Sequence, residues 1–190
     1  MKSLLSGTRN TRFVLKDSTR FLRSDAPCRL SDADCDFLLA HDIRTVIDLR
    51  TPAELAKKPC PLAQDTRFTY LHLPVTGGDG IPASPDEVAE SYIRMADGQM
   101  RHILSVVLHS PTGVLFFCGA GKDRTGVLAA MLQKHFGVPE EEIVRGYTAS
   151  GELLKDLLEA YAAAGTDIRV ITPQPVYMER FLAWYDREGK

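Results

Sequence analysis

No apolar run in the 190 residues approaches the roughly 20 that a membrane-spanning helix needs. The opening MKSLLSGTRN holds two leucines but no apolar stretch of signal-peptide length. A cytoplasmic protein is expected, although export by a route without a cleavable signal would leave no trace. There is no basic excess either: 23 Lys and Arg face 25 Asp and Glu, a net charge of −2. That speaks against a nucleic-acid partner, because a duplex-binding face draws on surplus positive charge. Cysteine is sparse. Cys28, Cys35, Cys60 and Cys118 form no CxxC pair and have no histidines at zinc-finger spacing. Without a secretory signal, reduced thiols are expected, and neither a metal nor a cofactor is implied. Repeats, low-complexity tracts and linkers are missing too, so one domain over 1–190 is expected. A chain of this length buries roughly 70% of its unfolded surface and needs no staple to hold a core.

What is present alternates between two periodicities. RFLRS (20–24) reads as a short strand. Ser31-Asp32-Ala33-Asp34 resembles a capping box, and Cys35, Leu38 and Leu39 follow on one face of a helix of about ten residues. RTVIDLR (44–50) and RFTYLHLPV (67–75) read as strands, the second ending at Pro74. TGGDGIPASP (76–85) is a loop by its Gly and Pro content. Ser84, Pro85 and Glu87 open a helix that runs to about Leu108, with a break near Gly98. VLFF (114–117) is a fully apolar strand, and VLAAMLQKHF (127–136) a strongly apolar helix that Gly137 stops. Pro139 and three glutamates start another helix, and two more are expected over 150–164 and 174–187. Strands mixed with helices predict an α/β layer architecture.

Between VLFF and the apolar helix lies Cys118-Gly119-Ala120-Gly121-Lys122-Asp123-Arg124-Thr125-Gly126. A Gly-rich curl from a buried strand into a helix N-terminus is the geometry of an anion site. Its backbone N–H groups can converge on phosphate oxygens, with Gly119 and Gly121 supplying positive φ angles. Arg124 can grip two oxygens side by side, as Lys could not. The same positive field favours the thiolate of Cys118 beneath the bound phosphorus, placed for in-line attack. Thr125 can hydrogen-bond the sulfur and help it leave. A Walker A reading fails, because Phe116 stands where a glycine is needed and Asp123 where Ser or Thr is needed. Cys28, Cys35 and Cys60 read as small buried hydrophobes, and His72, His102, His109 and His135 as structural.

This loop resembles that of protein tyrosine and dual-specificity phosphatases. More narrowly, AGKDRTG is similar to bacterial and fungal tyrosine phosphatases whose loop reads HCxAGKDRTG. FLRSDAPCRLSD (21–32), IRTVIDLRTPAE (43–54), LHLP (71–74) and the helical tail after Pro173 follow in that family's order. The resemblance implies a phosphatase-type central, mostly parallel sheet flanked by helices, with the loop between a buried strand and a helix. It also implies metal-free hydrolysis of phosphate monoesters, with inorganic phosphate released. Phosphotyrosine, phosphoserine or phosphothreonine, or an inositol lipid, would be the substrate. Two departures stand out. Phe117 replaces the family's histidine before the cysteine, and NTRFVLKDSTR replaces its usual Asn-Phe-Arg-Asp-Leu-Gly-Gly segment.

Expelling an alkoxide or phenolate calls for a proton donor. Asp79, in the loop after LHLP, and Asp123, inside the Gly-rich loop, are the two candidates. A carboxylate about 4 Å from a phosphate oxygen would repel it by roughly 4 kcal/mol at an effective dielectric of 20. Asp123 must therefore be protonated, turned away or neutralised, and it could orient Arg50 or Arg124. Lys122 is expected at the pocket mouth, and a lysine at this place in the family that the chain resembles implies that inositol-lipid phosphate is a candidate substrate. An Arg50–Glu54 ion pair is expected to brace the loop. Two other classes compete: a catalytically weak module that holds phosphate ligands, favoured by Phe117, and a sulfurtransferase, which also keeps a cysteine in an anion-binding curl.

Overall fold

The computed structural model describes residues 2–78 and 80–189. Among these residues, five strands form one sheet in the order β1-β2-β5-β3-β4. They are β1 (Arg12–Leu15), β2 (Ser18–Ser24), β3 (Ile43–Asp48), β4 (Thr69–His72) and β5 (Gly113–Phe117). β2, β5, β3 and β4 run parallel, and β1 folds back antiparallel onto β2.

β5 sits at the centre, paired on both edges, and all five of its residues are buried. Alternation along it defines two layers. Val114, Phe116 and Cys118 belong to the larger core, while Leu115 and Phe117 belong to the smaller one. The smaller core holds Cys35 and Leu38 of α1 (Asp32–Ala40), with Cys60, Leu62 and Phe68. α2 (Pro52–Lys57) leaves the C-terminal end of β3. The larger core gathers α3 (Pro85–Met95), α4 (Gly98–His109), α5 (Arg124–His135) and α6 (Glu140–Leu153). α7 (Lys155–Ala163), α8 (Ile168–Ile171) and α9 (Pro175–Glu188) close the chain. Ten of the twelve α5 residues are buried. A helix apolar on nearly all sides belongs in the middle of a layer, and α5 runs there, directly out of the Gly-rich loop.

Most sequence expectations hold in type, and their bounds shift for physical reasons. The α1 capping box forms with Ser31 accepting from the Asp34 N–H. The break near Gly98 is real, because Asp97 caps α4 by accepting from the Met100 N–H. Gly137 ends α5 at φ +71°. Ser84 precedes α3 without making a side-chain cap bond; instead Glu87 accepts from the Ala83 N–H at 3.1 Å. The helix expected over 150–164 is divided, since α6 runs through to Leu153 and α7 starts at Lys155. The elements not anticipated are β1, α2, α8 and a single 3-10 turn at Pro61–Ala63. β1 carries Arg12, a charged residue that reads as surface but is buried. α2 is six residues long, too short for a periodicity to show. Among the described residues, no helix is long and apolar enough to cross a membrane.

Candidate active site

The loop starts where β5 ends, and its curl is held from behind. The Ala26 N–H donates to the Gly119 carbonyl at 3.1 Å. Asn10 Nδ2 donates to the carbonyls of Ala120 at 3.0 Å and Gly121 at 3.1 Å, and Arg23 Nη2 donates to the latter at 2.7 Å. Three successive carbonyls thus face the protein, which turns the intervening amides toward the concave side. Gly121 makes the turn at φ +67°. A Cβ there would meet the Ser24 carbonyl oxygen at 2.4 Å and the Asp25 nitrogen at 2.5 Å, so the loop presses on the end of β2. Gly119 does not take the positive φ expected of it; its Cβ position is crowded instead, 3.3 Å from Glu54 Oε1.

Cys118 is 3% exposed at the base of this curl, and all four cysteines are free. Cys35 and Cys60 are buried as expected, and burial pushes the Cys60 thiol up to about 12. Cys28 is half-buried, beside the Lys58 carbonyl at 3.6 Å. Thr125 Oγ1 is buried without a hydrogen-bond partner, so the expected bond to the sulfur does not form here.

The bracing pair differs from the expected one. Arg50 is turned into the smaller core and grips Asp48, with Nη2 to Oδ2 at 2.6 Å, while its guanidinium lies 5.2 Å from the Phe117 ring centre. Tyr70 OH donates to the same carboxylate at 2.5 Å. Glu54 pairs with Arg124 instead: Nη1 to Oε2 at 2.6 Å and Nη2 to Oε1 at 2.7 Å. The sheet alternation explains the exchange. Asp48 and Arg50 lie on the Phe117 side, whereas the first turn of α2 carries Glu54 over the loop. Glu54 is itself fixed by the α2 capping box, where Oε2 accepts from the Thr51 N–H at 2.9 Å. Arg124 keeps donors in reserve: its Nε is buried and unpartnered, and each Nη carries a second N–H.

Arg124 holds the Glu54 carboxyl down at about 2, against an ordinary 4.5. A carboxylate depressed in the folded state stabilises it above its unfolded value and ceases to as pH falls through its folded one. The pair therefore contributes fully above about pH 4.5 and fades toward pH 2. In thermal melts at a series of pH values, the gap between the native chain and Glu54→Gln should be widest above this window. It should close as the solution is acidified through it. A gap that stays constant would show that Glu54 carries no such linkage.

Asp79 lies outside the described residues. Its neighbour Gly78, at φ +73°, lies against Met95 and the Arg124 stem, with its Cβ position 3.0 Å from Arg124 Cγ. Asp123 is placed at the start of α5, and its Oδ1 accepts from Tyr92 OH at 2.5 Å. Tyr92 OH also lies 2.8 Å from Tyr147 OH. Lys122 Nζ stands 3.3 Å from the same Oδ1. Asp123 thus orients a tyrosine and a lysine, not Arg50 or Arg124. Lys122 in turn is not at the mouth. It is 6% exposed and donates to the Ile171 carbonyl at 2.5 Å, because α8 packs over this side of the loop with Leu154 and Leu158. Sequence reasoning missed Asn10, Arg23 and Tyr92, whose partners lie far along the chain. Among the described residues, no group of three His, Cys, Asp or Glu side chains is disposed to hold a metal ion.

Residues 8–188 match the family profile described as "Tyrosine phosphatase family". The chain belongs to the tyrosine phosphatase family. A Nostoc commune protein named tyrosine-protein phosphatase is 37% identical over 145 residues, covering 71% of this chain and 49% of the relative. A Cupriavidus necator protein, provisionally named as a tyrosine-protein phosphatase, is 28% identical over 173 residues, covering 81% and 63% respectively. The chain therefore spans about half to three-fifths of the length of these two relatives. Among solved structures, the human tyrosine phosphatase-like serine/threonine/tyrosine-interacting protein overlaps 94% of this chain and 97% of its own. Its identity is 13% and its TM-score 0.47, which adds nothing to what the sheet order already shows. For this member of the tyrosine phosphatase family, the matched span includes both the loop at 118–126 and Glu54. Phe117, within that span, is fully buried against Leu22 and Leu38 in the smaller core, where a charged imidazole would be poorly solvated.

Proposed function

We infer that this chain hydrolyses phosphate monoesters through a phosphocysteine on Cys118. The reading rests on one arrangement: carbonyls 119–121 are tied backward while Arg124, locked by Glu54, closes the concave side with its Nε unspent. A tetrahedral dianion would complete it. The Cys118 thiolate attacks phosphorus, the bond to the leaving oxygen breaks, and a carboxylic acid protonates that oxygen. Water then attacks phosphorus, giving its proton back to the carboxylate. The S–P bond breaks, the thiolate returns and inorganic phosphate leaves. Arg124 and the loop amides carry the charge in both transition states.

Phosphotyrosine is the first substrate class, with phosphoserine and phosphothreonine beside it. Inositol lipids rank lower, because Lys122, the residue whose likeness to the family suggested them, is committed to the Ile171 carbonyl and Asp123. Mass analysis after acid quench should find one phosphoryl group on the Cys118 peptide during turnover of p-nitrophenyl phosphate. An unmodified peptide in an actively hydrolysing sample would sink the mechanism.

The acid is Asp123 or Asp79, and leaving-group dependence separates them. Removing the true acid should slow phenyl phosphate, whose leaving group is poor, by about 10²–10⁴-fold, and p-nitrophenyl phosphate much less. Asp79→Asn and Asp123→Asn are compared on both esters. The variant that slows both esters equally is not the acid.

A further inference from the structure

Two guanidinium groups lie behind the loop, on the side away from Arg124 and Glu54. Arg12 is 8% exposed and Arg23 3%. Arg12 is fully engaged: Nη1 donates to the Asn10 carbonyl and side chain, and Nη2 to the Gly146 carbonyl at 2.7 Å and Ser150 Oγ at 2.9 Å. Arg23 is not. Its Nη2 holds the Gly121 carbonyl at 2.7 Å, and its Nε is buried without a partner. Arg12 has the Asp25 charge in its favour, whereas Arg23 forms no ion pair with a carboxylate among the described residues. A desolvated cation without an anion is strongly unfavourable unless something else supplies the opposite charge.

The register shows where that charge lies. Arg23 stands opposite Phe116 in the β2–β5 ladder. Phe21, two residues before it, and Phe116 and Cys118 across from it belong to the same core layer. Arg23 therefore rises on the Cys118 face, one step short of the sulfur. Burial works against the Arg23 charge, and the Cys118 sulfur is the first group to favour it, ahead of Tyr147, Tyr92 and Asp123. Burial pushes both tyrosines up and keeps them neutral. Asp123 already accepts from Tyr92 and lies beside Lys122.

We propose that Arg23 is a positioning residue whose buried charge is the fixed counter-charge of the Cys118 thiolate, acting from behind the loop as Arg124 acts from the front. The proposal rests on reading Cys118 as the nucleophile. Arg23 touches no substrate: it works through the Gly121 carbonyl and through space. Its fellow charges around the sulfur are Arg124 from α5, Glu54 from α2 bound to it, and Lys122 with Asp123 from the loop. Tyr92 and Tyr147 face it from α3 and α6, and Phe117 contributes no charge. Glu54 offsets much of the Arg124 charge, and Asp123 that of Lys122. Arg23 is the cation of this set with no carboxylate paired to it among the described residues.

Arg23→Met, Arg23→Gln and Arg23→Lys in the full chain test this. The readout is the rate at which iodoacetamide, a neutral reagent, alkylates the Cys118 peptide as pH is varied. In Arg23→Met the rate profile should move to higher pH by about one unit, making alkylation on the acid limb roughly tenfold slower. Arg23→Lys should restore most of the native profile. Melting temperature should not fall in Arg23→Met, because Asn10 Nδ2 still holds the Gly121 carbonyl and a repulsion with Arg12 is gone. Should methionine not fold there, Arg23→Gln keeps a donor and drops only the charge, and it decides by the same shift. Coincident profiles in the native chain and the folded neutral variant overturn the proposal. Alkylation needs no phosphate ester, so the two readings fail separately. A shifted profile in a protein without phosphatase activity would sink the proposed function alone, and an unshifted profile in an active phosphatase this inference alone.

Discussion

Cys118→Ser should reduce turnover of p-nitrophenyl phosphate to the uncatalysed background, a loss on the order of 10⁶, the scale on which removing a hydrolase nucleophile acts. Serine is nearly isosteric, so the curl should survive. The loop carbonyls are held by Asn10, Arg23 and the Ala26 N–H, none of which involves the sulfur. The variant should therefore still bind inorganic phosphate, measured by titration calorimetry, while releasing no p-nitrophenol. That separation is the informative part. Cys118 sits 3% exposed at the bottom of the curl, so on the proposed mechanism the anion would lie over it whether or not it attacks. Steady turnover by the serine variant would mean that the ester is cleaved by some other group.

Arg124→Lys carries the second largest effect, a fall in kcat/KM of about 10²–10³-fold, the range for losing one preorganised charge-stabilising donor. The reason is a matter of counting donors. Arg124 spends Nη1 and Nη2 on the two Glu54 oxygens and still has Nε directed elsewhere. An ammonium is a single point of charge on a shorter reach. If it stays on Glu54 it leaves the phosphate, and if it turns to the phosphate it strands a carboxylate beside Gly119. Both kcat and KM should worsen, because on the proposed mechanism the lost contact would form in the bound ester and strengthen in the transition state. A melting curve like that of the native chain would show that the loss is chemical. Native kcat/KM in the lysine variant would mean that the fork geometry is unnecessary and that Arg124 has been assigned the wrong role.

What could be read along the chain was whatever depends on neighbours in sequence. The strand-loop-helix order around 114–136, the Ser31 cap, the Gly137 stop and the break before Gly98 are short-range matters of φ, hydrogen-bond supply and periodicity. Each is settled within a few residues. The same locality limited the site. Arg50 and Glu54 are four residues apart at a helix start, which suggested an ion pair. The strand pleat sends Arg50 to Asp48 on one face, while α2 carries Glu54 to Arg124 on the other. Lys122 was expected at the pocket mouth because nothing near it in sequence pairs with it except Asp123. Its carbonyl acceptor is Ile171, brought over the loop by α8.

The residues alone determined that a cysteine, a glycine-containing curl and an arginine would stand together between β5 and α5, since those nine positions are contiguous and their geometry is local. Which charges surround that loop was decided by the fold. Asn10 comes from the segment just before β1, and Arg23, Glu54 and Tyr92 from β2, α2 and α3, so their distances to the loop depend on strand order and helix packing. Electrostatic environment is a property of groups close in space, and the sheet order brings those groups together from across the chain.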